Sequence, residues 1–155
     1  MCGIAGYIGG EKIGKSAIDK TLGLMKNRGP DYQDWCSFIA NDTNVYLLHS
    51  RLSIIDLDER SNQPFSFNDF TLVFNGEIYN YIELRTELQD FGYKFKTDSD
   101  TEVVLRAYER WGLDSLTRFN GMWAIAIWDG HKLFLCRDRL GQKPLFYRFT
   151  GSSIE

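Results

Sequence analysis

Cys2 is where this chain could do chemistry with the fewest parts. Once Met1 is removed, one residue carries both a thiol and a free α-amine. A thiol of pKa roughly 8.5 then sits beside an amine of pKa roughly 7.7 to 8.0, much of it deprotonated near neutral pH. The nucleophile would bring its own base. Cysteine is small, the kind of residue after which an initiator methionine is commonly trimmed. If Met1 stays, the blocked amine cannot take a proton; the chain is then a non-catalytic module or an unprocessed precursor, and Cys2 is a small apolar residue at the start of a strand.

The rest of the composition narrows the choice of partner. At 155 residues, 43% hydrophobic and 15% aromatic, the chain can bury one sizeable core, so a single globular domain is expected. A net charge of -3, with Lys and Arg scattered singly, gives no footprint for nucleic acid or an anionic membrane. Small molecules or another domain are the expected partners. No apolar run approaches the roughly 20 residues of a membrane span, and the N-terminus lacks the plan of a signal peptide, so a cytoplasmic location is expected. Cys2, Cys36 and Cys136 are odd in number and widely spaced, against a disulfide framework, and Cys36 and Cys136 read as packing residues in strand-like runs. With no Cys-x-x-Cys pair and with His49 and His131 isolated, neither a metal site nor a Ser-His-Asp triad is expected.

The elements that must position Cys2 follow from hydrophobic period. Gly3 to Ile8 reads as a short strand ended by Gly9-Gly10, and Ser16 to Asn27 as a helix with Ile18, Leu22 and Met25 on one face, closed by Arg28-Gly29-Pro30-Asp31. Trp35 to Ala40 and Val45 to His49 read as paired strands, Leu52 to Ile55 as another β-branched run, and Asp58 to Gln63 as a loop. Phe70 to Phe74 is a buried strand running into Asn75-Gly76, after which Asn80 starts a helix that Gly92 stops. A second helix runs from about Asp100 to Gly112. Met122 to Trp128 and Lys132 to Cys136 are strands around the turn Asp129-Gly130, and Leu145 to Phe149 a further strand, with Ser152 to Glu155 opening a hairpin partner. Strands, two central helices and more strands give an α+β layered fold, and the unbroken apolar run Met122 to Trp128 implies a strand covered on both faces.

Six strings of residues carry a resemblance. Met1-Cys2-Gly3-Ile4, Arg28-Gly29-Pro30-Asp31, the run His49 to Asp56, the run Asn75 to Asn80, Asp100-Thr101-Glu102 and the run Arg137 to Tyr147 resemble, in order and over nearly the whole chain, the glutaminase domain of asparagine synthetase. That domain is a class II glutamine amidotransferase of the N-terminal-nucleophile hydrolase fold. The resemblance implies hydrolysis of L-glutamine to glutamate and ammonia, on a four-layer αββα sandwich. It also implies a C-terminal ATP-pyrophosphatase (synthetase) domain to which ATP and Mg would belong, no cofactor in this chain, and a chain truncated at its C-terminus. A homo-oligomer is left open. The strings Arg51 to Asp56 and Asn75 to Asn80 favour asparagine synthetase relatives over glucosamine-6-phosphate synthase or phosphoribosyl-pyrophosphate amidotransferase. A sugar-amidating relative serving polysaccharide synthesis would share every motif.

The same residues make chemical sense one by one. Attack on a primary amide needs a thiolate, a proton carrier for the leaving ammonia and donors for the oxyanion. Cys2 offers the first two; by resemblance the Asn75 amide and the Gly76 N–H are the donors, at a strand end where a plain Asn-Gly hairpin turn is the competing reading. Glutamine's charged ends need a cation and an anion. Arg51 matches the carboxylate position, where its planar fork can donate two parallel hydrogen bonds. Asp100 matches the ammonium position, against the alternative of a helix N-cap shared with Asp98 or Ser99. Leu52, Ser53, Ile54, Ile55 and Glu77 resemble the pocket wall. Asn27 stands where many relatives have histidine, and the Arg28 to Asp31 loop has no chemical role beyond shaping the entrance.

Overall fold

Residues 45–50 and 123–128 are buried without a break, so the strands that contain them are covered on both faces. The structure, a computed structural model that describes residues 1–155, meets that requirement with two sheets laid face to face. In chain order the elements are β1 (Gly3–Gly9), α1 (Lys15–Met25), β2 (Tyr32–Ala40), β3 (Thr43–Arg51), β4 (Phe65–Phe67) and β5 (Phe70–Ile78). Then come α2 (Tyr81–Asp90), α3 (Asp100–Trp111), α4 (Ser115–Arg118), β6 (Gly121–Trp128), β7 (Leu133–Arg137) and β8 (Ser153–Ile154). One sheet has the order β2-β3-β1-β8 and the other β4-β5-β6-β7, with every pairing antiparallel.

Three apolar layers hold the sandwich. Ile18 and Leu22 of α1 pack on Tyr7, Tyr46 and Leu48 of the first sheet. Val45 and Leu47 meet Val73, Ala126 and Trp128 between the sheets, with Cys36 at their margin. On the far side, Leu72, Phe74, Ile125 and Ile127 pack against Leu84 and Leu88 of α2 and Val103, Val104 and Ala107 of α3. The alternation along β5 sorts its residues between these layers: Leu72 and Phe74 face the helices, Val73 faces the other sheet, and Asn75 shares the Val73 face. The α+β class and the αββα layering expected from the sequence are both present.

Two expected strands are absent. Leu52–Ile55 is a loop, because the side chain of Arg51 collects the carbonyls of Ile55, Asp56 and Asp58 and curls the chain back on itself. Leu145–Phe149 runs without a sheet partner except at Phe149, which bridges Ile154, and its Phe146 and Tyr147 lie exposed. The last residues do form a hairpin, with Arg148 and Glu155 exchanging backbone hydrogen bonds, while Ile154 and Ser153 extend the first sheet beside Ile8 and Gly9. The short strand β4 escaped the reading of the sequence.

The start of α3 is tied down from below. Ser99 is its N-cap, accepting from the Thr101 N–H at 3.1 Å, and Asp100 is thereby freed from capping. Glu102, fully buried, accepts from the N–H of Lys96 at 2.9 Å and of Thr97 at 2.7 Å and from the Thr97 hydroxyl at 2.9 Å, with Arg106 beside it. This carboxylate organises the segment that delivers Asp100. Glu102→Ala should therefore lower the unfolding free energy by about 3 kcal/mol in urea titrations, the usual cost of stripping partners from a buried charged network; a loss below about 1 kcal/mol would contradict that role.

Candidate active site

Cys2 stands just before β1 and is held from two sides. Its sulfur accepts from the Leu52 N–H at 3.4 Å and donates to the Leu52 carbonyl at 3.7 Å, and its own carbonyl accepts from Arg28 Nε at 3.1 Å. Gly29 lies so close to β3 that a Cβ there would stand 2.2 Å from the Ser50 carbonyl. Asp31 donates its N–H to the Arg51 carbonyl at 3.0 Å and accepts from the Ser53 N–H at 2.8 Å. The Arg28-Gly29-Pro30-Asp31 loop thus clamps the Cys2 carbonyl and the chain beyond β3, a role the sequence did not reveal.

Arg51 does not present an open fork. One terminal nitrogen donates to the Asp58 carbonyl at 3.1 Å and to Asn62 Oδ1 at 2.7 Å, and the other to the carbonyls of Ile55, at 3.4 Å, and Asp56. Its terminal N–H groups are thus engaged by the 55–62 loop, and Nε–H is left without a protein acceptor. Asp56, at φ 50°, holds the same loop by accepting from the Asp98 N–H and the Ser61 hydroxyl, each at 2.7 Å, and from Arg60. Burial works against the Asp56 charge, yet these donors bring its pKa down to about 2.

Asn75 and Gly76 lie inside a strand, not at its end. Asn75 pairs with Ala124 and Gly76 with Trp123, and β5 continues to Ile78. Glycine is required because a Cβ at 76 would stand 2.2 Å from the Met122 carbonyl. Both the N–H and the carbonyl of Trp123 go to Asp138, at 3.2 and 2.8 Å, so this pair is a non-hydrogen-bonded one and the Gly76 N–H points away from β6. Along that edge the Phe74 N–H is taken by Gln63 Oε1 at 2.6 Å and the Ile78 N–H by Asp100 Oδ2 at 3.1 Å. The Gly76 N–H between them has no protein acceptor. The Asn75 side chain is buried and likewise makes no hydrogen bond to the protein. Gln63 had no signal in the sequence beyond its place before Pro64.

These groups share one cavity of about 100 Å³. Cys2, Arg51, Leu52, Ile54, Ile55, Asn75, Gly76, Glu77 and Asp100 all line it, together with Met1 and Lys143. Ser53 does not; its N–H is turned to Asp31. Burial pushes the Cys2 thiol up, while the Leu52 N–H, the N-terminal charge and Arg51 pull the other way. Burial also raises Asp100 to about 6, against the Ile78 N–H and the Ser99 hydroxyl, with the Glu77 charge adding to the rise. Behind the site, His49 crosses between the sheets, its Nε2 3.2 Å from the Phe74 carbonyl and its Nδ1 without a partner, and burial lowers it to about 4.

The architecture has solved counterparts among amidotransferases: glutamine phosphoribosylpyrophosphate amidotransferase from B. subtilis superposes with a TM-score of 0.71 over 98% of this chain and 41% of that one, at 19% identity, which speaks for the fold alone. The sequence goes further. Residues 1–154 match the glutamine amidotransferase domain family, and the chain belongs to it. It is similar to putative asparagine synthetase [glutamine-hydrolyzing] 2 of Methanocaldococcus jannaschii, 39% identical over 99% of this chain and 33% of that protein. It is also similar to asparagine synthetase [glutamine-hydrolyzing] 1 of Bacillus subtilis, 41% identical over 99% of this chain and 25% of that protein. The chain spans about a quarter to a third of the curated relatives it matches.

The two titrations around the site have opposite signs. An unfolded histidine titrates at about 6.5. As pH falls from there to about 4, the unfolded chain therefore gains a proton that folded His49 refuses, and stability falls with pH. Asp100 keeps a proton up to about 6 that the unfolded chain releases near 3.9, so its contribution falls as pH rises through that window. His49→Gln removes the first slope. Its urea midpoint should decline as pH rises from about 4 to about 6, by up to roughly 2 kcal/mol in stability, where the wild type stays flatter; a variant midpoint that climbs over the window would refute the assignment.

Proposed function

We propose that this chain hydrolyses L-glutamine to glutamate and ammonia through a thioester on Cys2, and that the ammonia feeds an ATP-dependent amidation of the asparagine synthetase type in a following synthetase domain. The reading is carried by one observation. The Cys2 sulfur, the partnerless Asn75 amide and the free Gly76 N–H line a single cavity. Family membership supports glutamine as substrate, and the names of the relatives support the acceptor chemistry.

In processed protein the α-amine of Cys2 takes the thiol proton, and the thiolate attacks the side-chain carbonyl carbon of glutamine. The C=O pair moves onto oxygen, where the Asn75 amide and the Gly76 N–H donate to the oxyanion. Collapse breaks the C–N bond as the amine hands its proton to the departing nitrogen, leaving ammonia and the thioester. Water then adds to the thioester carbon, and glutamate leaves as the thiol is restored. Asp100 receives the α-ammonium of the substrate at the head of α3. Arg51 serves the α-carboxylate end in two ways, with its charge and open Nε–H and through the loop that its other donors hold in place.

Two measurements test this. Intact mass should show that Met1 is absent from active protein, and Cys2→Ala should release no glutamate in a coupled glutamate assay; full glutaminase activity with Met1 attached would rule out the amine as base. Asn75→Ala should reduce kcat by roughly 100-fold with KM little changed, close to 3 kcal/mol of lost oxyanion stabilisation. An intact kcat with a raised KM would move Asn75 from the reaction step to substrate binding.

A further inference from the structure

Lys143 is almost wholly buried, 4% exposed, and its amine makes a single hydrogen bond, to the thioether sulfur of Met1 at 3.1 Å. A thioether is a weak acceptor, and a cation taken out of water without a strong partner is costly. The carboxylate closest to it along the chain cannot serve. Asp138 accepts the backbone N–H of Lys143 at 2.9 Å, together with those of Leu140, Gln142 and Trp123, and makes no ion pair with the amine. The Lys143 side chain therefore lines the Cys2 cavity, and the one hydrogen-bond partner of its amine is the side chain of the residue that processing removes.

Removal of Met1 also creates the Cys2 α-amine. The bonds from Met1 Sδ to the Cys2 nitrogen span at most about 6 Å, so the 3.1 Å contact puts the Lys143 amine within about 9 Å of that nitrogen. Resting on the glutaminase reading above, we propose that Lys143 is a positioning residue whose cation, facing the space Met1 vacates, favours the neutral, proton-accepting form of the Cys2 α-amine. The other charges facing the pair are the carboxylates of Asp100 and Glu77, the guanidinium of Arg51 and, on the Cys2 carbonyl, Arg28. The two carboxylates favour the protonated amine. Arg51 acts on the pair in the same sense, but its terminal N–H groups are held by its loop and Arg28 is held on a carbonyl, which leaves Lys143 as the cation whose head group loses its one partner when Met1 goes. Across that distance in a partly buried site the effect is roughly one pH unit.

The test uses processed protein of verified N-terminal mass and two series from about pH 5 to pH 9. One is kcat/KM for glutamine. The other is the rate of iodoacetamide modification of Cys2, read on the N-terminal peptide by mass, which needs no substrate. Lys143→Met keeps the length and the apolar stem without the charge, and should move the acidic limb of both profiles up by roughly one pH unit. Lys143→Arg should leave both limbs in place. Limbs unmoved in Lys143→Met overturn the proposal, and so does a raised KM with unmoved limbs, which would make Lys143 a ligand of the substrate carboxylate. Lys143→Gln carries the same comparison if the methionine variant does not fold. A wild type that hydrolyses no glutamine defeats the glutaminase reading, while the alkylation series still decides the role of Lys143.

Discussion

Strand β4 is only three residues long and covers β5 as far as Leu72. Past that point the edge of β5 has no strand beside it, and its outward N–H groups must find other acceptors or go without. Gln63 takes the first and Asp100 the last. The gap between them is the Gly76 N–H, and the site is assembled around that gap. A longer β4 would close the edge and take the Gly76 N–H; a shorter one would leave Leu72 unpaired inside the protein.

The facing wall is a loop, and its shape is set by charge. Arg51 and Asp56 lie at opposite ends of a short segment and draw backbone carbonyls and N–H groups respectively towards themselves. Arg28 and Asp31 repeat the arrangement one loop earlier, with the guanidinium on the Cys2 carbonyl and the carboxylate on the Ser53 N–H. Irregular backbone beside a cavity needs such internal partners, since no ladder supplies them. Charged residues of these motifs hold main chain in place as much as they face a ligand.

The layers, the helices and most strands could be read from the sequence because their cause is local: period in α1 and α3, unbroken burial in β3 and β6, glycine after α2 and α3. The errors occur where a distant contact outweighs local preference. Leu52–Ile55 is β-branched and looks like a strand, but Arg51 bends it. Asn75-Gly76 is the strongest short hairpin signal, yet the chain runs straight on because glycine there lets two strands approach. Leu145–Phe149 has strand composition but meets a sheet only at its far end, where Phe149 bridges Ile154. Of the candidate site, Cys2, Asn75, Gly76 and Asp100 were visible through chemical type and family motif. The roles of Gln63, Asp31 and Lys143 were not, since they come from contacts with residues 11 to 142 positions away.

The contact between β5 and β6 also sets where this cavity can be altered. A Cβ at Gly76 would stand 2.2 Å from the Met122 carbonyl, and one at Gly121 would stand 2.1 Å from the Glu77 carbonyl. The two strands are seated on each other's glycines, so the floor of the cavity admits no added atom on either side. Room to reshape the cavity lies instead in the segment between Leu52 and Asn62, where the side chain of Ile54 is exposed. Sterics fix one wall of the cavity and leave the room for change to the opposite rim.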